Sequence, residues 1–212
     1  MPVMAETEKL DGRRETGQRT RQRLIEASRA LVAERGRDGV TLRAITDVAE
    51  ANVAAVSYHF GSTEELLRAT IEEALDTLAQ AQIDGLRGLP PNASLAEIAT
   101  AWARPVIAAV SGPPSEARAL MRIAARAATD PSQEFRERVV TAATRADPDL
   151  MAALRRSLPH VPANQLRFRK ECAGGILYFM ASGTMQVDLE AMTRDEVERL
   201  VVPAITGALT GN

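Results

Sequence analysis

At 212 residues the chain can hold one large or two modest domains around a real core, and 45% hydrophobic with only 3% aromatic residues favours helices packed closely on small side chains. A single cysteine, Cys172, excludes an internal disulfide and fits a reducing cytoplasm, while two histidines give no basis for a zinc site. The net charge of −2 excludes a uniformly basic chain, no apolar run approaches the ~18–20 residues of a membrane span, and the polar start MPVMAETEKLDGRRETG lacks the apolar stretch of a signal peptide.

The charge is unevenly spread. Nine arginines (13, 14, 19, 21, 23, 29, 35, 37 and 43) fall between residues 13 and 43 against Glu15, Glu26, Glu34 and Asp38, a local excess of five, and the remainder is slightly acidic. A basic end on an acidic body is the asymmetry of a chain that meets phosphate at one end only. The alternative is that these arginines solvate a helix.

In chain order, residues 1–16 are polar and without periodicity, and are expected to form a disordered arm in which Arg13-Arg14 could touch phosphate. Gly17 to Arg35 predicts a first helix with Leu24, Ala27, Ser28, Leu31 and Val32 on its inner stripe and Gly36 as its C-cap. Thr41 to Phe60, TLRAITDVAEANVAAVSYHF, then divides into two short helical patterns. Leu42, Ile45, Val48 and Ala49 mark the buried face of the first behind Thr41 as N-cap; Asn52 caps the second, with Val56 inward. Each is about two turns and too short to stand alone. Two short helices on a tight corner, braced by a third, form the helix-turn-helix plan.

Ser62 with Glu65 opens a long helix to about Gly85, and Gly88 to Asn92 (GLPPN) is a linker. Helices follow from Ser94 (with Glu97) to about Val110, Ser115 to about Thr129, Asp130-Pro131 to near Ser157 with a break at Asp147-Pro148, Ala163 to about Gly183, and Thr193 (with Glu196) to near Leu209. The expected fold is all-α: a helix-turn-helix domain joined by a long helix to a C-terminal helical domain.

Residues 17–77 resemble the N-terminal domain of the tetracycline-repressor (TetR) family of bacterial transcriptional regulators. RLIEASRALVAERG, GVTLRAIT and NVAAVSYHFGSTEELL carry the likeness, and the recognition helix is similar to those reading NxAAxxYHF. MRIAARAATDPS and LPHVPANQLRFR give residues 115–183 a weaker likeness to the regulatory half of that subgroup. The resemblance implies a DNA-binding domain at 17–77, with its helix-turn-helix at 41–60, and a regulatory and dimerisation domain at 78–212. Its helices would form a ligand pocket, and the last two would pair with a second subunit. Four positions depart from the pattern: Glu50 replaces the usual turn glycine, Ala51 a valine or similar residue, Thr63 a phosphate-binding lysine, and Ser57 a tyrosine in the middle of the recognition helix.

The implied DNA contacts are Thr41, Arg43, Asn52, Val53, Ala54, Ala55, Ser57, Tyr58, His59 and Thr63. Val53, Ala54 and Ala55 can offer a base only apolar contact, so selectivity would rest on Asn52, Tyr58 and DNA shape. Trp102, Met121, Phe135, Phe168 and Tyr178 are candidate pocket walls, with core packing as the alternative. Gly175, Ile176, Phe179, Gly183, Val197, Leu200, Val201 and Ile205 are candidate dimer contacts, and Cys172 is expected to be a small buried residue. The reading is a cytoplasmic homodimeric regulator, a repressor on a palindromic operator released by a small molecule, with no cofactor and no membrane partner. One alternative is a dimeric ligand sensor or scaffold with a degenerate reading head, to which Glu50 and Thr63 point. An all-α enzyme would need clustered carboxylates with histidine, a nucleophile with a base, or a phosphate loop, and the sequence offers none.

Overall fold

The computed structural model describes residues 2–35, 39–113, 115–127 and 133–211, without side-chain detail for 2–14, 123, 126, 127, 134 and 135. Every element in it is helical: α1 (Pro2–Arg35), α2 (Leu42–Val48), α3 (Val53–Phe60), α4 (Thr63–Arg87), α5 (Leu95–Val110), α6 (Glu116–Ala127), α7 (Gln133–Ala143), α8 (Asp147–Ser157), α9 (Ala163–Ser182) and α10 (Arg194–Thr210). The chain separates into two compact units, residues 1–71 and 72–212.

In the first unit, α1 is longer than expected. It begins at Pro2, where the sequence predicts an irregular arm as far as residue 16. Proline suits a first helical position, good helix formers follow it (Met4, Ala5, Glu6, Glu8, Lys9, Leu10, Arg13 and Arg14), and Glu15 pairs with Arg19 at 3.3 Å. The expected Gly36 C-cap and the side chains of Arg13, Arg14 and Arg37 lie outside the described residues.

The predicted inner stripe of α1 is buried, and Ile25 joins it at 0% exposure. Leu24, Ile25, Ala27 and Leu31 form one core with Ile45, Ala49, Val56 and Leu66. Val48, expected in that core, is 56% exposed. At about 100° per residue it lies roughly 100° round α2 from the centre of the Leu42–Ile45–Ala49 stripe, so it falls on the flank. A buried polar contact joins α1 to α4 beside this core: the Thr70 hydroxyl donates to the Leu66 carbonyl at 2.8 Å and lies 3.2 Å from the Ser28 hydroxyl.

In the second unit, α5 buries Ile98, Ala99, Trp102, Ala103, Val106, Ile107 and Val110. It packs against α6, α8, α9 and α10; α9 in turn packs against α6, α8 and α10. Both predicted capping boxes are formed. Ser94 accepts from the Glu97 amide while the Glu97 carboxylate accepts from the Ser94 amide at 2.8 Å, and Thr193 and Glu196 repeat the arrangement at 3.3 and 2.8 Å. Those bonds hold both glutamate carboxyls below their usual pKa range. Arg87 pairs with Asp149 at 2.8 Å and Arg104 with Glu198 at 2.9 Å, raising each arginine and lowering Asp149. The expected helix start at Asp130-Pro131 lies outside the described residues.

Candidate nucleic-acid interface and ligand cavity

The helix-turn-helix is held from both ends and from below. Thr41 is extended (φ −110°, ψ 152°) and its hydroxyl accepts the Ala44 amide at 3.2 Å; Asn52 is likewise extended and its Oδ1 accepts the Ala54 amide at 2.9 Å. Each cap satisfies an amide that the short helix leaves unpaired, worth about 1 kcal/mol. Val56 (1% exposed) fixes the inner face of α3. The turn is closed by the Ala51 amide donating to the Thr46 carbonyl at 3.0 Å. Its corner residue is Glu50, the one non-glycine with positive φ (48°) among the described residues. A left-handed backbone there explains why glycine is the usual occupant.

With its inner face fixed, α3 turns Val53 (48% exposed), Ala54, Ser57 and Tyr58 (83% exposed) outward. Four predicted contact residues therefore share one exposed face. Ala55 is half-buried and packs on the core, so it is withdrawn from that face. Asn52 uses its oxygen to cap the helix, which leaves its amide NH2 as the group it can present. His59 is half-buried; its ring meets Tyr58 edge to face at 4.9 Å and lies against the Gly17 backbone. Arg21 stacks over the Phe60 ring at 5.1 Å, so part of the basic charge of α1 ties the end of α3 to the scaffold. The Arg43 side chain is 91% exposed, with Asp47 at 4.0 Å, and Thr63 is half-buried at the start of α4.

Residues 24–70 match the profile of the bacterial regulatory proteins, tetR family, and residues 100–210 match that of the tetracyclin repressor-like, C-terminal domain. The chain belongs to the TetR family. Solved structures share its fold at low identity. PfmR, a TetR-family transcriptional regulator of Thermus thermophilus, is 22% identical with a TM-score of 0.63, covering 86% of this chain and 96% of its own. A TetR-like transcriptional regulator of a Rhodococcus species is 18% identical with a TM-score of 0.64, covering 91% and 97%. The multidrug binding protein EbrR, solved with malachite green, is 18% identical with a TM-score of 0.57, covering 87% and 96%. No curated protein sequence matches the chain. As a TetR-family member the protein is a DNA-binding transcriptional regulator and not an enzyme.

The second unit contains a cavity of about 380 Å³, within the size range of small-molecule sites. Trp102, Met121 and Tyr178 line it, among mostly apolar neighbours from α4 to α9. Phe168 does not: it is 69% exposed on the outer face of α9, about three turns before Tyr178. Phe135 lies outside the described side chains.

Sequence reading missed the polar part of this cavity. Lys170 is 4% exposed, and its ammonium donates to Asp147 at 2.6 Å and to Glu171 at 2.7 Å. Burial alone would lower the Lys170 pKa; its bonds to Asp147 and Glu171 outweigh burial and raise it, so it stays charged. The Asp147–Lys170 pair spans 23 residues and follows no local motif. A lysine on an otherwise buried helix stripe with Leu166, Ala173 and Leu177 was the available signal.

Of the predicted dimer contacts, Val197 (1% exposed) and Ile205 (0%) are buried within the chain's own core, where α10 packs on α5 and α9, and so cannot present a surface. Gly183 is exposed and is the left-handed C-cap of α9 (φ 70°), with the Arg122 side chain beside it, so it ends the helix instead of admitting another. Gly175, Phe179 and Leu200 are exposed, and Ile176 and Val201 half-buried. Cys172 is exposed, not buried. Phe168, Cys172, Gly175 and Phe179 are spaced four, three and four residues apart, one stripe along the outer face of α9.

Proposed function

We propose that this TetR-family regulator is a cytoplasmic homodimer that represses transcription from a palindromic operator and is released by a small molecule. The observation that carries the DNA half is the α3 face: Tyr58, Ser57, Ala54 and Val53 exposed together on a helix capped at Asn52 and anchored at Val56. The helix is sparing in polar groups, so Tyr58, the Asn52 amide and local DNA shape would carry selectivity, with Arg43 set for phosphate. A formed turn at Glu50 favours a working reading head over a degenerate one.

Dimerisation is proposed through the exposed apolar stripe of α9 with Leu200 of α10, 64% exposed and on a neighbouring helix. A stripe of phenylalanines left in water is the kind of surface a partner covers. Two reading heads must then reach major grooves about 34–36 Å apart, or a multiple of that. A ligand in the second-unit cavity that favours a different spacing would release DNA without touching α3. EbrR, bound to malachite green, is a neighbour in fold that takes a small molecule.

The test is fluorescence anisotropy with the duplex beside the protein's own gene against a random duplex, over a range of salt. The expected result is a preference of at least about 10³ and a linear fall of log affinity with log salt. Equal affinity for both duplexes would replace the repressor reading with a sensor or scaffold.

A further inference from the structure

Most of the hydrogen-bond donors lining the second-unit cavity are already committed. The Gln82 amide donates to the Trp102 carbonyl at 2.8 Å, the Thr144 hydroxyl to the Val140 carbonyl at 2.8 Å, and the Tyr178 hydroxyl to the Ala125 carbonyl. Lys170 gives two of its three ammonium protons to Asp147 and Glu171. Beyond one Gln82 amide proton and one Lys170 proton, what these groups still offer a ligand is lone pairs: the Gln82 carbonyl oxygen, two hydroxyl oxygens and the free oxygens of two carboxylates. The charges along this wall, Asp147 and Glu171 against Lys170, leave one negative charge in excess. An anionic ligand would add to that excess, and drawing the Lys170 ammonium away from the partners that hold it in a buried position is costly.

We infer that the cavity selects an amphipathic amine, with an apolar body against Trp102 and its neighbours and one protonated nitrogen donating to Asp147 and Glu171. The inference rests on the reading of this cavity as the effector site. An ammonium supplies what the wall is short of, both hydrogen-bond donors and one positive charge. The aromatic faces of Trp102 and Tyr178 are compatible with a cation as well as with an apolar body.

Trp102 is the single tryptophan of the chain and stands in the cavity wall, so its fluorescence reports occupancy. The full-length protein is titrated at pH 7 with 4-phenylbutylamine, 4-phenylbutyrate and 4-phenylbutanol, which share one body and differ in charge. The amine is expected to bind at least tenfold more tightly than either other compound. Glu171→Gln, at a side chain 65% exposed and so tolerant of change, should weaken the amine at least threefold and leave the alcohol unchanged. Asp147→Asn, checked first for an unaltered melt, should weaken the amine further. Carboxylate or alcohol binding as tightly as the amine overturns the amine assignment and leaves the cavity as a ligand site. An amine preference unmoved in both variants overturns the role of the two carboxylates. No response to any of the three compounds overturns the ligand-site reading and this inference together.

Discussion

Glu50 is the position where backbone and charge can be separated by experiment. Its φ of 48° places a side-chain-bearing residue in the left-handed region, at a cost of about 1–2 kcal/mol. Glycine removes that cost but adds about 0.5–1 kcal/mol of unfolded-state entropy. Glu50→Gly should therefore stabilise the protein by about 0.5–1 kcal/mol, raising the thermal midpoint by about 2 °C for a chain of this size. Glu50→Ala keeps the Cβ and should give none of this gain. The charge behaves differently, because both substitutions remove it. If the exposed carboxylate stands about 8 Å from operator phosphate, the repulsion in water is about 0.5 kcal/mol, or about twofold in affinity. Both variants should then tighten DNA binding by the same factor, with the gain shrinking as salt rises. Differential scanning calorimetry and anisotropy titrations check the two halves separately. Stabilisation by Ala equal to that by Gly would refute the backbone argument, and unchanged affinity in both would show that the carboxylate points away from DNA.

Tyr58→Ala should weaken specific DNA binding by about 1–3 kcal/mol, about fivefold or more, with circular dichroism and dimer mass unchanged; lost helicity would make this 83% exposed ring a packing residue after all. Phe179→Asp combined with Leu200→Asp should convert the dimer to monomer in sedimentation equilibrium, and an unchanged mass would move the interface elsewhere. Glu97→Ala should lower the thermal midpoint only where the wild-type carboxylate is ionised. Its folded pKa lies below the ordinary 4.5, so the wild-type advantage is full above pH 4.5 and disappears as pH falls through the lowered value. A midpoint difference that persists once the wild-type carboxyl is protonated would show the cap to be independent of that charge. Lys170→Met should destabilise by about 3 kcal/mol in urea, because it leaves Asp147 without its partner, and Lys170→Met with Asp147→Leu should recover most of the loss.

The reading head was legible because its determinants are local. Thr41 and Asn52 are N-caps by residue type and position, and each makes the expected bond. Val56 is inward because the helix period puts it there. Val48 escaped the same reasoning for a geometric cause: α2 has only seven residues, so its narrow buried stripe excludes a residue that a looser i, i+3 count includes. The start of α1 escaped for another, since good helix formers without an apolar stripe carry no amphipathic signal.

The second unit was legible as helices and caps but not as a site. Both capping boxes follow from Ser-x-x-Glu and Thr-x-x-Glu spacing, while the cavity depends on which face each helix turns to its neighbours. Apolar residues do not declare that choice. Val197 and Ile205 are as hydrophobic as Leu200, yet the first two fill the core and the third faces out, because α10 has partners in α5 and α9 on one side only. Along α9, Phe168 and Tyr178 are both exposed, yet only Tyr178 borders the cavity. Lys170 does declare it: a long charged side chain placed in phase with Leu166, Ala173 and Leu177 must either break the core or bring its own counter-charges. Here it brings Asp147 and Glu171, and in doing so turns an otherwise uncharged cavity into one with a sign.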